Sequence, residues 1–162
     1  MHNVIVITFF VYLFFSVEFF LFNFIHPLLM PNLLLIAVIF FNLLLGIRYS
    51  LLAAILAGLL KDSYGTHPFG IHIFSFILCA YLTTFFKKYI YQGSSPYSKL
   101  VLISSILSCY LLIQYTLYSM SVSISFIEAL EHVFLPTIVT TLLMANTTIR
   151  NLKKCVLKLS VS

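Results

Sequence analysis

The sequence predicts an all-α polytopic membrane protein, a compact bundle of six transmembrane helices. Of its 162 residues, 62% are hydrophobic and only 8% are charged, whereas a soluble domain is typically about one quarter charged. So few charges cannot cover a surface that faces water, so lipid must surround most of the protein. The apolar residues also form long runs, and the basic residues lie at the ends of those runs. The length corresponds to about one domain.

The apolar runs define six predicted spans. A span requires about 20 mainly apolar residues. The first run begins at Val4, without a preceding Lys or Arg and without a small-residue cleavage site after it. We therefore interpret it as an uncleaved span and not as a signal peptide. Pro, Gly and charged residues separate the later runs. The predicted spans are 4–25, 32–45, 49–62, 71–87, 100–120 and 126–149, followed by a basic cytoplasmic tail at 150–162.

The second and third runs are short, and they form either two helices joined tightly at Arg48 or one long bent segment. Six spans with both termini in the cytoplasm leave only Lys61 in the outer segments. Merging the two runs gives five spans and divides the basic residues about evenly between the two sides, so the positive-inside rule favours six. The basic residues that six spans place inside are Arg48, Lys87, Lys88, Lys99, Arg150, Lys153, Lys154 and Lys158.

The net charge of +5 does not indicate nucleic-acid binding, because the basic residues follow the ends of apolar runs. We expect the basic tail to bind anionic lipid headgroups or a cytoplasmic partner. The cysteines, at positions 79, 109 and 155, form no CxxC pair. They predict neither a disulfide nor a metal site.

Four residues of the third run recur at intervals of four and share one helix face: Ser50, Ala54, Gly58 and Asp62. Small residues at this spacing let helices approach closely in lipid. The face predicts either a contact with a partner or ordinary packing inside the bundle, and packing is the commoner role. Asp62 can organise the following turn by accepting backbone N–H bonds. Alternatively, it takes part in transport or in partner binding.

Three polar residues lie inside apolar runs: Glu18, Asn42 and Gln114. A carboxylate facing lipid at the depth of Glu18 costs about 3 kcal/mol. We therefore expect Glu18 to face the bundle or a partner, either in a structural hydrogen bond or in ion coupling. These residues and Asn23 are the candidates for a polar cavity, and their spacing does not group them.

Catalytic and metal-binding patterns are not found. The sequence lacks GxSxG, HExxH and P-loop motifs. Glu128 and His132 lie four residues apart but lack a third ligand, and helical spacing does not relate His67 to His72. The sequence therefore predicts no enzyme, no cofactor and no metal site.

The segment from Gly58 to Leu82 resembles the rod shape-determining protein MreD family. In that family a Gly-Leu element with a following Asp ends one span, a Pro-apolar-Gly loop follows, and the next span ends near an aromatic-Leu pair. The entry to the second span at Pro31-Asn32 is similar too, whereas Thr66-His67 replaces a loop that is often richer in Gly. The matching residues are Gly58, Leu59, Asp62, Pro68, Phe69, Gly70, Tyr81 and Leu82.

This resemblance implies a non-enzymatic scaffold of the cell-elongation machinery in the cytoplasmic membrane of rod-shaped bacteria. The family works with an MreC-type membrane protein, MreB filaments, a SEDS glycosyltransferase and a class B transpeptidase of peptidoglycan synthesis. Its fold is similar to the S components of energy-coupling-factor transporters, so the alternative is a subunit that binds a small solute. The expected partner and packing residues are Ser50, Ala54, Gly58, Asp62, Pro68 and Gly70.

Overall fold

The computed structural model describes residues 2–24, 31–64, 69–90, 96–119, 127, 130 and 134–145. These residues form an all-helical structure, as predicted. Its six helices are α1 (His2–Phe24), α2 (Leu33–Leu45), α3 (Ile47–Tyr64), α4 (Ile71–Ile90), α5 (Pro96–Ser119) and α6 (Leu135–Ala145).

Three of the helices are long and apolar enough to cross a membrane: Val4–Phe24 in α1, Ile71–Tyr89 in α4 and Ser98–Leu117 in α5. α2 and α6 are apolar but shorter. The 13 residues of α2 extend about 20 Å at 1.5 Å per residue, less than the thickness of a bilayer core. The composition and these helices define a membrane protein, while the number of crossings stays a prediction.

The short helix α2 is the centre of the bundle. Every residue from Leu33 to Asn42 is at most 4% exposed. Ten consecutive buried positions occupy the whole circumference of the helix, as expected for a helix that is apolar on all sides. α1, α3, α4 and α5 all pack against it. The polar groups at its two ends are therefore also inside the protein and require partners there.

α2 and α3 are separate helices that fold back on each other at Gly46. This glycine has φ of +91°, a conformation that side chains with a Cβ disfavour, and its N–H donates to Asn42 O at 3.2 Å. Beyond the turn, the Ser50 hydroxyl donates to Val38 O at 3.0 Å. Of the two arrangements considered for this region, the structure has the tight turn between two helices and not one bent segment.

Contacts between helices define two ends of the bundle. At one end, Lys87 Nζ donates to Leu43 O at 3.1 Å, which joins the end of α4 to the end of α2. At the other, Asp62 Oδ1 accepts the N–H of His72 at 3.0 Å, which joins the end of α3 to the start of α4. We call these the Lys87 end and the Asp62 end. From α2 to α4 the chain thus alternates in direction.

α3 and α4 approach most closely at Gly58. A Cβ placed on this glycine would lie 2.4 Å from Ile73 Cα and 2.8 Å from Ile73 N. Only glycine fits this position without a shift of backbone, because real Cβ atoms do not approach other atoms so closely. Small residues permit such contacts between membrane helices, and packing is what drives their association in lipid.

Candidate functional site

A partly buried ion pair links α1 to α3. Glu18 Oε1 lies 2.7 Å from Lys61 Nζ, with the two side chains 11% and 25% exposed. Glu18 Oε2 accepts the backbone N–H of Leu34 at 3.1 Å. The first turn of a helix has N–H groups without intrahelical partners and a positive dipole end, so a carboxylate is favoured there. Glu18 therefore neutralises both the ammonium of Lys61 and the buried start of α2.

Asn32 completes this cluster at the N-cap of α2. Its Oδ1 accepts hydrogen bonds from the N–H of Leu35 at 3.2 Å and from Lys61 Nζ at 3.4 Å. Its own N–H donates to Thr141 Oγ1 at 3.1 Å, and Thr141 lies in α6. Asn is among the preferred N-cap residues. We call Glu18, Asn32 and Lys61 the Glu18 cluster, and it joins four helices.

Asp62 anchors the start of α4. Its Oδ2 accepts N–H bonds from Gly70 at 3.0 Å and from Ile73 at 3.2 Å, and its Oδ1 accepts the N–H of His72 at 3.0 Å. Gly70 has φ of +105°, which favours glycine at this turn. The carboxylate is thus the external cap of a helix, the first of the two roles that the sequence left open for Asp62.

A second polar group lies between α4 and α5. His72 Nδ1 lies 3.1 Å from the Tyr110 hydroxyl and 3.0 Å from Gln114 Nε2. Gln114 Nε2 also donates to Ser75 Oγ at 3.0 Å. The opposite atom, Gln114 Oε1, is buried and accepts no hydrogen bond from the described part of the chain. Sequence analysis missed Tyr110 and Ser75, although the four-residue spacing of Tyr110 and Gln114 was visible on α5.

Asn42 lies apart from these groups, at the Lys87 end. Its Nδ2 donates to Ala80 O at 2.8 Å and to Thr84 Oγ1 at 3.0 Å. Its backbone oxygen accepts a long contact from Lys87 Nζ at 3.5 Å. Asn23 uses its amide on its own helix, bonding to Phe19 O at 3.1 Å. Asn42 and Asn23 therefore lie apart from the other candidate polar residues. Tyr110, in contrast, also interacts with the Asn32 side chain, which places the Gln114 group next to the Glu18 cluster.

The small-residue face of α3 points into the bundle. Ser50, Ala54, Gly58 and Asp62 are all buried, where Ser50 contacts α2 and Gly58 contacts α4. The structure thus favours packing inside the bundle over an outward contact for these positions. Gly70 lies at the turn before α4. Pro68, a predicted partner or packing residue, lies outside the described residues, as do His67, Glu128 and His132.

Residues 2–24, 31–64, 69–90, 96–119 and 134–145 contain no group of three or more His, Cys, Asp or Glu side chains that could hold a metal ion. An apolar groove of about 580 Å³ lies between α5 and α6. Its lining is Leu100, Val101, Ser104, Val139, Leu142 and Leu143. The described buried polar residues form an ion pair, helix caps and side-chain hydrogen bonds between helices.

These features define a helical membrane protein whose buried polar side chains connect its helices. A family model described as rod shape-determining protein MreD matches residues 1–152, so the chain belongs to this family. The resemblance at residues 58–82 is thereby confirmed, and it extends over nearly the whole chain. No curated protein and no solved structure matches the sequence.

Proposed function

We propose that this protein is a non-enzymatic scaffold subunit of the cell-elongation machinery, in the cytoplasmic membrane, and that it binds an MreC-type membrane protein. Membership of the MreD family implies a role in determining rod shape. A scaffold must present partners in a fixed geometry, which requires helices that do not slide or separate. The Glu18 cluster is the observation that carries this proposal.

The described acidic side chains both act inside the bundle. Glu18 pairs with Lys61 and caps α2, and Asp62 caps α4. Each carboxylate thus binds other helices of the same protein, where removal would leave buried donors without acceptors. This use of charge supports a role in fixing the arrangement of helices.

The outward faces of α1 and α4 suit contacts with lipid and with partner helices. Large apolar and aromatic side chains dominate both faces, and such surfaces bury well against another helix. In lipid, such helices associate through packing. The exposed residues include Ile5, Phe9, Tyr12, Val17, Phe20 and Phe24 in α1, and Phe74, Tyr81, Phe85 and Tyr89 in α4.

The proposed orientation has six spans and both termini in the cytoplasm. It is supported by the distribution of basic residues, because the described cations other than Lys61 belong to segments at the Lys87 end. MreB filaments would then meet the Lys87 end. The SEDS glycosyltransferase and its transpeptidase partner would lie beside the bundle in the membrane.

The alternative function is a solute-binding subunit similar to the S components of energy-coupling-factor transporters. One observation favours it: Gln114 Oε1 is buried and lacks a hydrogen-bond donor among the described residues. Asn42 and Asn23 make contacts away from Gln114, which argues against a polar cavity shared by all of the candidate residues. A small polar solute that co-purifies stoichiometrically with the protein would support this alternative.

Co-purification tests the scaffold proposal directly. The full chain, carrying an affinity tag, is expressed together with the MreC-type protein of the same cell and purified in mild detergent. We expect the two proteins to elute as one complex. The control is an unrelated single-span membrane protein of similar expression level, which should be lost on washing. Equal loss of the MreC-type protein would contradict the proposal.

A further inference from the structure

Acidic and basic side chains are separated along the bundle. The two described carboxylates, Glu18 and Asp62, belong to the clusters near the Asp62 end. At the opposite end, Lys87 uses its ammonium to bind backbone oxygens of α2. Arg48 and Lys88 are both exposed, and neither forms an ion pair with any residue the structure describes. The Lys87 end therefore has cations whose charge no described side chain neutralises.

Arg48 and Lys88 lie on neighbouring helices. α3 and α4 are in contact at Gly58 and Ile73 and run in opposite directions. Ten residues along each helix from that contact is about 15 Å, which brings residue 48 level with residue 83. Lys88 follows five residues later, about 7.5 Å further along the helix, which is within the combined reach of two long basic side chains. Arg48 shares its exposed face of α3 with Ile55 and Leu59, at spacings of 7 and 11 residues.

Two exposed aromatic side chains accompany these cations. Phe85 and Tyr89 are 57% and 59% exposed, and their ring centroids lie 4.9 Å apart. Lys88 lies between them in the sequence and, three residues after Phe85, on the same side of α4. Aromatic side chains near a helix end are typical of the boundary between lipid tails and headgroups. We call Arg48, Phe85, Lys88 and Tyr89 the Arg48 surface.

We propose that the Arg48 surface is a binding site for an anionic phospholipid of the leaflet at the Lys87 end. Arg48 and Lys88 bind the phosphate, with the arginine able to donate two parallel hydrogen bonds. Phe85 and Tyr89 pack against the glycerol and upper acyl chain. The aromatic pair favours a lipid as the ligand over an acidic protein segment. A bound lipid has an acyl chain next to its headgroup, and this chain can pack against Phe85 and Tyr89. The site belongs to the folded bundle and is distinct from the basic tail.

The test compares lipid binding by the full chain and by matched variants in detergent. Purified protein is titrated with phosphatidylglycerol and, separately, with phosphatidylcholine, and retained lipid is counted by native mass spectrometry. We expect the wild type to prefer phosphatidylglycerol. The R48Q/K88Q variant should bind it roughly 30-fold more weakly, the effect of two interfacial charges, with no change for phosphatidylcholine. Rising salt should weaken only the wild-type preference.

Two further variants make the test specific. R48K/K88R keeps both charges and should bind phosphatidylglycerol like the wild type. K153Q/K154Q removes the same charge from the tail and should leave the bundle site unchanged. The proposal is overturned if R48Q/K88Q keeps the wild-type preference, or if the tail variant loses as much binding. It is also overturned if the wild type binds both lipids equally but binds an acidic peptide, and the R48Q/K88Q variant does not bind that peptide.

Discussion

Lys61 Nζ lies 2.7 Å from Glu18 Oε1, which places the ammonium near the end of α3 against a carboxylate in the second half of α1. Removing one partner would leave the other charge partly buried and unpaired, which is costly. Together they hold α1 against α3, and the second oxygen of Glu18 holds the start of α2. The relative positions of three helices therefore depend on one side chain.

Replacing Glu18 with Gln should destabilise the bundle by about 2 kcal/mol, the usual worth of a hydrogen bond to a charged group. The amide keeps an acceptor for Leu34 but no longer neutralises Lys61. The free energy of unfolding is measured by titrating the detergent-solubilised protein with sodium dodecyl sulfate. Ser16→Ala is the matched control, since Ser16 is exposed on α1 and bonds only to Tyr12 O of its own helix.

A double-mutant cycle isolates the ion pair from these other effects. Lys61→Met alone should also destabilise, and E18Q/K61M should cost at least 1 kcal/mol less than the sum of the single changes, as for coupled residues generally. Strictly additive costs would show that the pair contributes nothing beyond its separate contacts.

Replacing Asp62 with Ala should loosen the start of α4. Three backbone N–H groups lose their acceptor, and loss of an N-cap typically costs about 1 kcal/mol, up to about 2. Asp62→Asn keeps one oxygen and should cost less. Hydrogen exchange of the amides of Gly70, His72 and Ile73 reports the effect locally. Unchanged protection of these amides in the Ala variant would show that Asp62 is not their cap.

Ser63→Ala is the control for this change. Ser63 adjoins Asp62 but its hydroxyl bonds to Leu59 O within the same helix. We therefore expect no change in the protection of the α4 amides.

Replacing Gly58 with Ala should force α3 away from α4. The new Cβ meets backbone atoms of Ile73 at 2.4 Å and 2.8 Å, and overpacking of this kind costs about 1–3 kcal/mol. Membrane insertion should be normal, because Ala is no less apolar. Capture of an MreC-type partner should decrease as a consequence, since its binding surface depends on the helix arrangement.

Leu59→Ala is the control for a substitution at the adjacent, exposed position of α3. Leu59 is 39% exposed and should be nearly neutral for stability in detergent. If Gly58→Ala is as stable as the wild type and captures the partner normally, the close packing of α3 and α4 is not required for assembly.

The topology predicts where reporter fusions fold. With six spans and both termini in the cytoplasm, a fusion after residue 94 and another at the C-terminus should both be active with a cytoplasmic reporter. An alkaline phosphatase fusion at either place should be inactive. Activity of the phosphatase at one of these sites would contradict the six-span topology.

The positions of the helices follow closely from the apolar runs. The predicted spans 32–45 and 49–62 correspond to α2 (Leu33–Leu45) and α3 (Ile47–Tyr64), because Asn32 and Gly46 interrupt helices through local chemistry. Local spacing also indicated the four-residue face of α3, and it gave the capping of the following turn as one of the two roles left open for Asp62. Such features depend only on residues a few positions apart, so they can be predicted from a single sequence.

The pairing of Glu18 with Lys61 could not be predicted, since 43 residues separate them and no periodicity relates two different helices. Sequence reasoning treated Lys61 as an outer-loop cation and did not select Asn32. The contact of His72 with Tyr110 likewise depends on how α4 and α5 are rotated against each other. A single sequence does not determine that rotation, because several faces of α5 are apolar.

The measurement that tests the central claim most directly is the shape of cells that depend on this protein. A rod-shaped bacterium depleted of its own MreD-family protein is supplied with this chain or with the variant E18Q/D62A, and cell length and width are measured by microscopy. We predict that depletion gives round cells, that the wild-type chain restores rods, and that the variant restores them poorly at equal membrane abundance. Round cells despite abundant, correctly inserted wild-type protein, or normal rods with a defect in solute uptake after depletion, would contradict the scaffold function.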